Sequence, residues 1–218
     1  MKPFIFLALA VSAAWFSGCA TQRTAGRGVT PYHITAYKPH NPGAVRVKVS
    51  TSTQTLYAME GDRCLMAAQC CVGKAGAVSP PGNHTIYAKI RNKRSGTFGF
   101  TSGGAPADAH RGDRVAVGYP MQYWCEFAPG YGIHSGYLWS EPHTHGCIRL
   151  HKEAAARLFA LVKTGTPVSI AASQPEDATH GRKVLRIDQR HDPDPPTSLL
   201  MSEAFFTDPA GPLLVDGP

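Results

Sequence analysis

Residues 132–150 read GIHSGYLWSEPHTHGCIRL. A single cysteine, Cys147, stands between Gly146 and the pair Ile148-Arg149, with His134 and His145 upstream of it. Four readings are open to Cys147: nucleophile, metal ligand, half of a disulfide, or inert core residue. A thiol attacks carbonyls once ionised, and histidine is its usual partner because its proton affinity lies near neutral pH. The segment after Cys147, KEAAARLFALVK at 152–163, has helical spacing: Ala154, Leu158, Leu161 and Val162 share a face and Gly165 closes the run. The N-terminal dipole of such a helix would favour a thiolate nearby. Backbone N–H groups of Gly146 and Cys147 would receive an oxyanion, with no glycine side chain to obstruct it. A metal site built from His134, His143, His145 and Cys147 is disfavoured, because the last three lie too close in the chain for an easy tetrahedron. A disulfide would leave the histidines without a reason. A buried, quiet cysteine fits the spacing as well as a nucleophile does.

Outward from this stretch the pattern is that of a β protein. VRVKVS at 45–50 alternates Val45, Val47 and Val49 against Arg46 and Lys48, the period of a strand with one buried face. QTLYAM, the turn EGDR and CLMAAQCCVG read as a hairpin or meander. HTIYAKI at 84–90 is a further strand, and DRVAVG and MQYWCEF are two more, parted by Tyr119 and Pro120. TPVSIA follows the helix as a short strand. The 22 glycines and 18 prolines among 218 residues suit a loop-rich β domain better than a helical bundle. After residue 172 the character turns to linker, with RKVLRI a possible strand and SLLMSEAFF a short helix. This extension, 173–218, either packs on the domain or is partly disordered.

The N-terminus reads as a leader. One basic residue, Lys2, precedes an apolar run from Phe4 to Phe16, too short for a spanning helix and ending in small residues. Phe16-Ser17-Gly18-Cys19 resembles a bacterial lipobox, which implies cleavage after residue 18 and lipidation of Cys19; a plain secretory signal with a chance cysteine is the alternative. Ala20 after the cysteine favours the periplasmic face of an outer membrane. Residues 19–43, polar with Gly, Pro and Thr, read as a tether. In that exported setting Cys64, Cys70, Cys71 and Cys125 have three complete disulfide pairings open to them, and the sequence does not choose. The formal charge of +7 fits a polyanionic envelope or a carboxylate-bearing substrate, or a merely soluble basic surface, rather than nucleic acid, which an exported protein rarely meets.

One resemblance decides among the readings of Cys147. GIHSGY…THGCIRL resembles the signature of the L,D-transpeptidase catalytic domain (YkuD) family. MQYWCEFAPGYGIHSGYL, SPPGNHTI and AAARLFALVKTGTPVSI resemble further blocks of the same family, so the likeness runs over about 44–171. It implies a mainly β, sandwich-like catalytic fold at 44–172 with one helix after the catalytic cysteine. It implies Cys147 as nucleophile, His134 as general base, and the Ser135 backbone carbonyl as the group orienting the imidazole. The Gly146 amide would serve the oxyanion. Arg149 would hold a substrate carboxylate or brace the loop through an ion pair, and His145 would shape the nucleophile's surroundings or be satisfied by backbone. Thr144 stands where serine is common. Tyr119 would line the acyl-donor pocket or pack as an aromatic, and His143 and His151 would lie at the surface. The implied activity is acyl transfer from peptidoglycan tetrapeptide stems with loss of D-alanine, through a thioacyl-enzyme, to form 3-3 cross-links, without metal or cofactor. Attachment of an envelope protein, D-amino-acid exchange and hydrolysis use the same site. A non-catalytic wall-binding lipoprotein is the reading from another class.

Overall fold

The computed structural model describes residues 32–217. The leader, Cys19 and the first part of the tether lie outside the described residues. Among the described residues ten strands join edge to edge: β1 (Val45–Ser50), β2 (Thr55–Glu60), β3 (Arg63–Cys71), β4 (Gly82–Thr85), β5 (Ala88–Phe100), β6 (Pro106–Asp108), β7 (Val117–Ala128), β8 (Tyr131–Ser135), β9 (Ile148–Leu150) and β10 (Pro167–Ala171). Their spatial order is β4-β10-β1-β2-β3-β9-β8-β7-β5-β6. The fold is mainly β, and β3 joins its two halves, pairing with β2 along most of its length and with β9 at its end. One buried cluster draws on both halves: Val47, Val49 and Leu65 from one, Cys125, Phe127 and Ile133 from the other.

The alternation of β1 is realised, with Val45, Val47 and Val49 buried beneath exposed Arg46. HTIYAKI is not one strand. The chain changes partner at buried Ile86, so that β4 pairs with β10 and β5 with β7. Conversely, DRVAVG and MQYWCEF are not separate: β7 runs through Tyr119 and Pro120. Pro120 has no N–H for the ladder. Opposite it the register shifts, from Arg94↔Pro120 to Gly99↔Gly118, and residues 95–98 of β5 bulge out. The Ser95 hydroxyl accepts the N–H groups of Thr97 and Phe98 inside that bulge, at 3.1 and 3.0 Å.

The helix α1 spans Lys152–Leu161. Ala154, Ala155, Ala156, Leu158 and Leu161 are its buried face. His151 is its N-cap, with Nδ1 accepting the Glu153 N–H at 3.2 Å. Lys89 caps the other end, donating to the carbonyls of Phe159 and Val162 at 2.7 and 2.6 Å, where the helix dipole welcomes a cation. No described helix is long and apolar enough to cross a membrane.

The tether differs from its sequence reading, and the C-terminal extension takes the packed one of its two. The end of the tether is docked: Tyr32 and Ala36 are buried, and Tyr37 bridges to Val215. The C-terminal extension is ordered against the domain, with a short helix α2 (Thr197–Met201) but no strand at 182–187. Buried Gln69 does the work of a partner strand there. Its amide donates to the Ile187 carbonyl at 2.9 Å and accepts the Ile187 N–H at 2.7 Å. Further along, Asp208 binds Arg91 and takes the Tyr123 hydroxyl at 2.6 Å.

Candidate active site

His134 on β8 and Cys147, immediately before β9, are brought together by a parallel pairing in which Ile133 faces Ile148 and His134 faces Arg149. Strand side chains alternate between faces. Ile133 and Ile148 are therefore driven into the core, both buried, while His134, Arg149 and Cys147 share the opposite face. Extending the register by one residue sets Cys147 beside Gly132, diagonal to His134. Diagonal neighbours on adjacent strands are roughly 7–8 Å apart at Cα, within reach of two side chains leaning together. Both line one cavity of about 430 Å³, with Arg149, Tyr119, Ser135, Thr144 and His145.

The imidazole is fixed in orientation and tautomer. His134 Nδ1–H donates to its neighbour's carbonyl, Ser135 O, at 2.8 Å, which leaves Nε2 as the proton acceptor. Burial pushes the His134 pKa down to about 4; the charge of Arg149 adds to the fall and the Ser135 bond opposes it. Burial raises the Cys147 thiol, against the lowering effects of the Gly132 N–H and of Arg149. Burial thus favours the uncharged thiol and the uncharged imidazole alike. This corrects the helix-dipole expectation. The strand β9 stands between Cys147 and the first turn of α1, and a dipole's influence fades within about one turn.

The turn before Cys147 is set by Thr144 and Gly146. The Thr144 hydroxyl accepts the Gly146 N–H at 3.1 Å and donates to the Cys147 carbonyl at 2.5 Å. Thr144 is thus committed to backbone at 1% exposure. The Gly146 amide expected to serve an oxyanion is already bonded, so the Cys147 N–H remains of the two. Gly146 is needed for another reason: its φ is 113°, and a Cβ there would lie 2.4 Å from the Tyr131 ring.

The other expected residues fall as follows. Arg149 makes no ion pair among the described residues, so it does not brace the loop in that way. Its stem lies against Gly136 and it lines the cavity. His145 is exposed and stacks on Phe98, ring centroids 5.3 Å apart. Tyr119 is 41% exposed at the cavity and stacks on Phe100. His143 and His151 are half-buried rather than free at the surface, His143 against Trp139 and His151 against Tyr32. Among the described residues Cys64, Cys70, Cys71 and Cys125 are unpaired, as is Cys147. Among the described residues no group of three or more His, Cys, Asp or Glu side chains could hold a metal ion.

Two contributors escaped the sequence reading. Trp124 packs against His134 in a tilted arrangement, 5.7 Å between centroids, and covers Gly132, where a Cβ would meet its ring at 2.7 Å. The clue was a tryptophan one strand away from a glycine two residues before His134. It follows Tyr123, which holds a left-handed φ of 62°, a strained setting for a bulky residue. The second contributor is the C-terminal extension, which supplies Gln189, Arg190, Asp192 and Asp194 to the cavity wall. No local sequence signal marks them.

Residues 44–170 match the L,D-transpeptidase catalytic domain, YkuD. The chain belongs to this family. Among solved structures it is similar to an L,D-transpeptidase (Yku) from Stackebrandtia nassauensis, 21% identical with a TM-score of 0.47 over 64% of this chain and 60% of that one. It is similar to an L,D-transpeptidase from Mycobacterium smegmatis at 21% identity and TM-score 0.48, over 59% of each chain. The catalytic domain of the E. faecium L,D-transpeptidase aligns at 22% identity and TM-score 0.45, over 61% of this chain and 100% of that one. The match thus spans about three fifths of the first two structures' own length. No curated protein matches the chain by sequence.

Proposed function

We propose that the protein is a peptidoglycan L,D-transpeptidase acting through Cys147. The observation that carries this reading is a half-buried thiol and a tautomer-locked imidazole sharing one strand face and one cavity. Cys147 Sγ attacks the carbonyl of the third residue of a tetrapeptide stem as His134 Nε2 takes the thiol proton. The bond to the terminal D-alanine breaks, and that proton leaves with the D-alanine amine. An amine of a second stem then attacks the thioester. His134 takes a proton from it and returns it to the departing sulfur, and a 3-3 cross-link is left. The Cys147 N–H receives the oxyanion in both halves. Arg149, without an ionic partner among the described residues, would hold a stem carboxylate. Cys19, as a lipid-bearing residue, would hold the domain by its tether at the periplasmic face of an outer membrane.

Mass spectrometry of the protein with defined tetrapeptide stems tests the reading, with muropeptide analysis of the products. A thioacyl adduct on Cys147 and a dimer lacking one D-alanine are expected. Exchange of a free D-amino acid, transfer to a protein amine or release of a tripeptide would reassign the acceptor. Binding without any adduct would mean a wall-binding lipoprotein. Incorporation of labelled fatty acid that survives Cys19→Ala would remove the anchor.

A further inference from the structure

We propose that the C-terminal extension, which lies beyond the family-matched residues, is a working part of the active site, and that Gln189 is its positioning residue. The inference rests on the transpeptidase reading above. The connection from the base to the nucleophile leaves the sheet after Gly136, whose N–H still bonds Leu150 O at 2.9 Å. Two residues on, the buried backbone of Leu138 has lost its strand partner. Gln189 replaces it at two points: its own N–H donates to Leu138 O at 2.8 Å, and its side-chain Oε1 accepts the Leu138 N–H at 3.1 Å. Gln189 is 2% exposed and Leu138 is fully buried, so neither bond can be traded for water.

Bonds to either side extend the clamp. Tyr137 donates its hydroxyl to Pro193 O at 2.7 Å, and Ser140 donates to Asp188 Oδ2 at 2.9 Å. The extension is itself anchored on the domain just upstream, where Arg186 binds Gln54 O and the Thr55 hydroxyl at 2.9 and 2.6 Å. The clamped stretch begins two residues after Ser135, whose carbonyl holds His134 Nδ1. Slack in residues 136–140 would therefore pass to the carbonyl that aims the base. Gln189 also lines the cavity itself. The side-chain amide is used at both ends, Oε1 accepting the Leu138 N–H and Nε2 donating to Asp192 Oδ2 at 3.3 Å, which an apolar side chain filling the same space would not do.

The test uses the full-length protein and a carbapenem, whose β-lactam carbonyl Cys147 attacks; the ring C–N bond opens and the nitrogen takes the thiol proton. The rate constant of inactivation, its half-saturation concentration and the final adduct stoichiometry are measured for wild type and Gln189→Met, with a thermal melt of each. Gln189→Met keeps the volume and loses the acceptor. It is expected to slow inactivation about tenfold at unchanged half-saturation, while still reaching one adduct per chain. A Gln189→Met rate within about twofold of wild type, or a loss confined to half-saturation, would overturn the proposal. Should Gln189→Met not fold, Tyr137→Phe, at the exposed end of the clamp, carries the test: a slower rate at unchanged half-saturation supports it and an unchanged rate overturns it. No adduct on wild type would sink the transpeptidase reading itself, whereas normal acylation of wild type with an indifferent Gln189 sinks the clamp alone.

Discussion

Acid should destabilise this protein through His134 in a window fixed by its burial. The imidazole titrates near 6.5 in an unfolded chain and at about 4 in the folded one. Between those values the unfolded state binds more protons, so stability rises with pH across the window and is lost as pH falls from about 6.5 to about 4. At ~1.4 kcal/mol per pH unit the difference is worth about 3 kcal/mol. His134 is 5% exposed, so solvent screening removes little of it. The assay is urea unfolding from pH 7.5 to 4 on wild type and His134→Gln, the second keeping the bulk and losing the titration. The gap between the two should change by about 3 kcal/mol in favour of the variant as pH falls. Carboxylate effects common to both cancel in the comparison. A gap that stays constant with pH, or moves the other way, would mean that the imidazole is neither buried nor held neutral. Activity follows the same sign: thioacylation should hold above about pH 5 and fall below it as Nε2 is protonated.

Thr144→Val leaves the Gly146 N–H and the Cys147 carbonyl without their shared hydroxyl, at about 1–3 kcal/mol for each buried group. A melting temperature lowered by roughly 5–10 °C, with slower acylation, is expected by calorimetry and adduct kinetics; an unchanged melt would deny the bracket. Gly146→Ala meets both the positive φ and the Tyr131 ring, and should cost more than about 2 kcal/mol in urea unfolding. Arg149→Gln breaks no ion pair among the described residues. Its stability should stay within about 1 kcal/mol of wild type while KM for the stem donor rises; a loss of stability with unchanged KM would return Arg149 to a bracing role.

The readable parts of the sequence were those where one local rule acts alone. Alternation in VRVKVS placed β1 residue for residue, and 3.6-residue spacing placed α1 to within two residues of its end. Errors came where tertiary partners override local pattern. HTIYAKI alternates throughout, yet Ile86 ends one pairing and Ala88 begins another. Pro120 read as a break because it lacks an N–H, but the long β5 absorbs the defect as a bulge instead. At the site, spacing left Cys147 undecided between nucleophile and inert thiol; the strand register, which puts it on the His134 face, is a long-range fact. The roles of Trp124, Gln189 and the docked extension were illegible for the same reason, since each acts across the sheet or from the far end of the chain. RKVLRI reads as a possible strand on its own, and buried Gln69 shows why no strand partner was needed.

Intact-mass and peptide-level mass spectrometry of the protein incubated with a defined tetrapeptide stem would measure the decisive chemistry directly. The expected result is a tripeptidyl adduct located on Cys147, formed with release of one D-alanine and absent from His134→Gln over the same time. An adduct on another residue, or product formation that persists in Cys147→Ala, would contradict it.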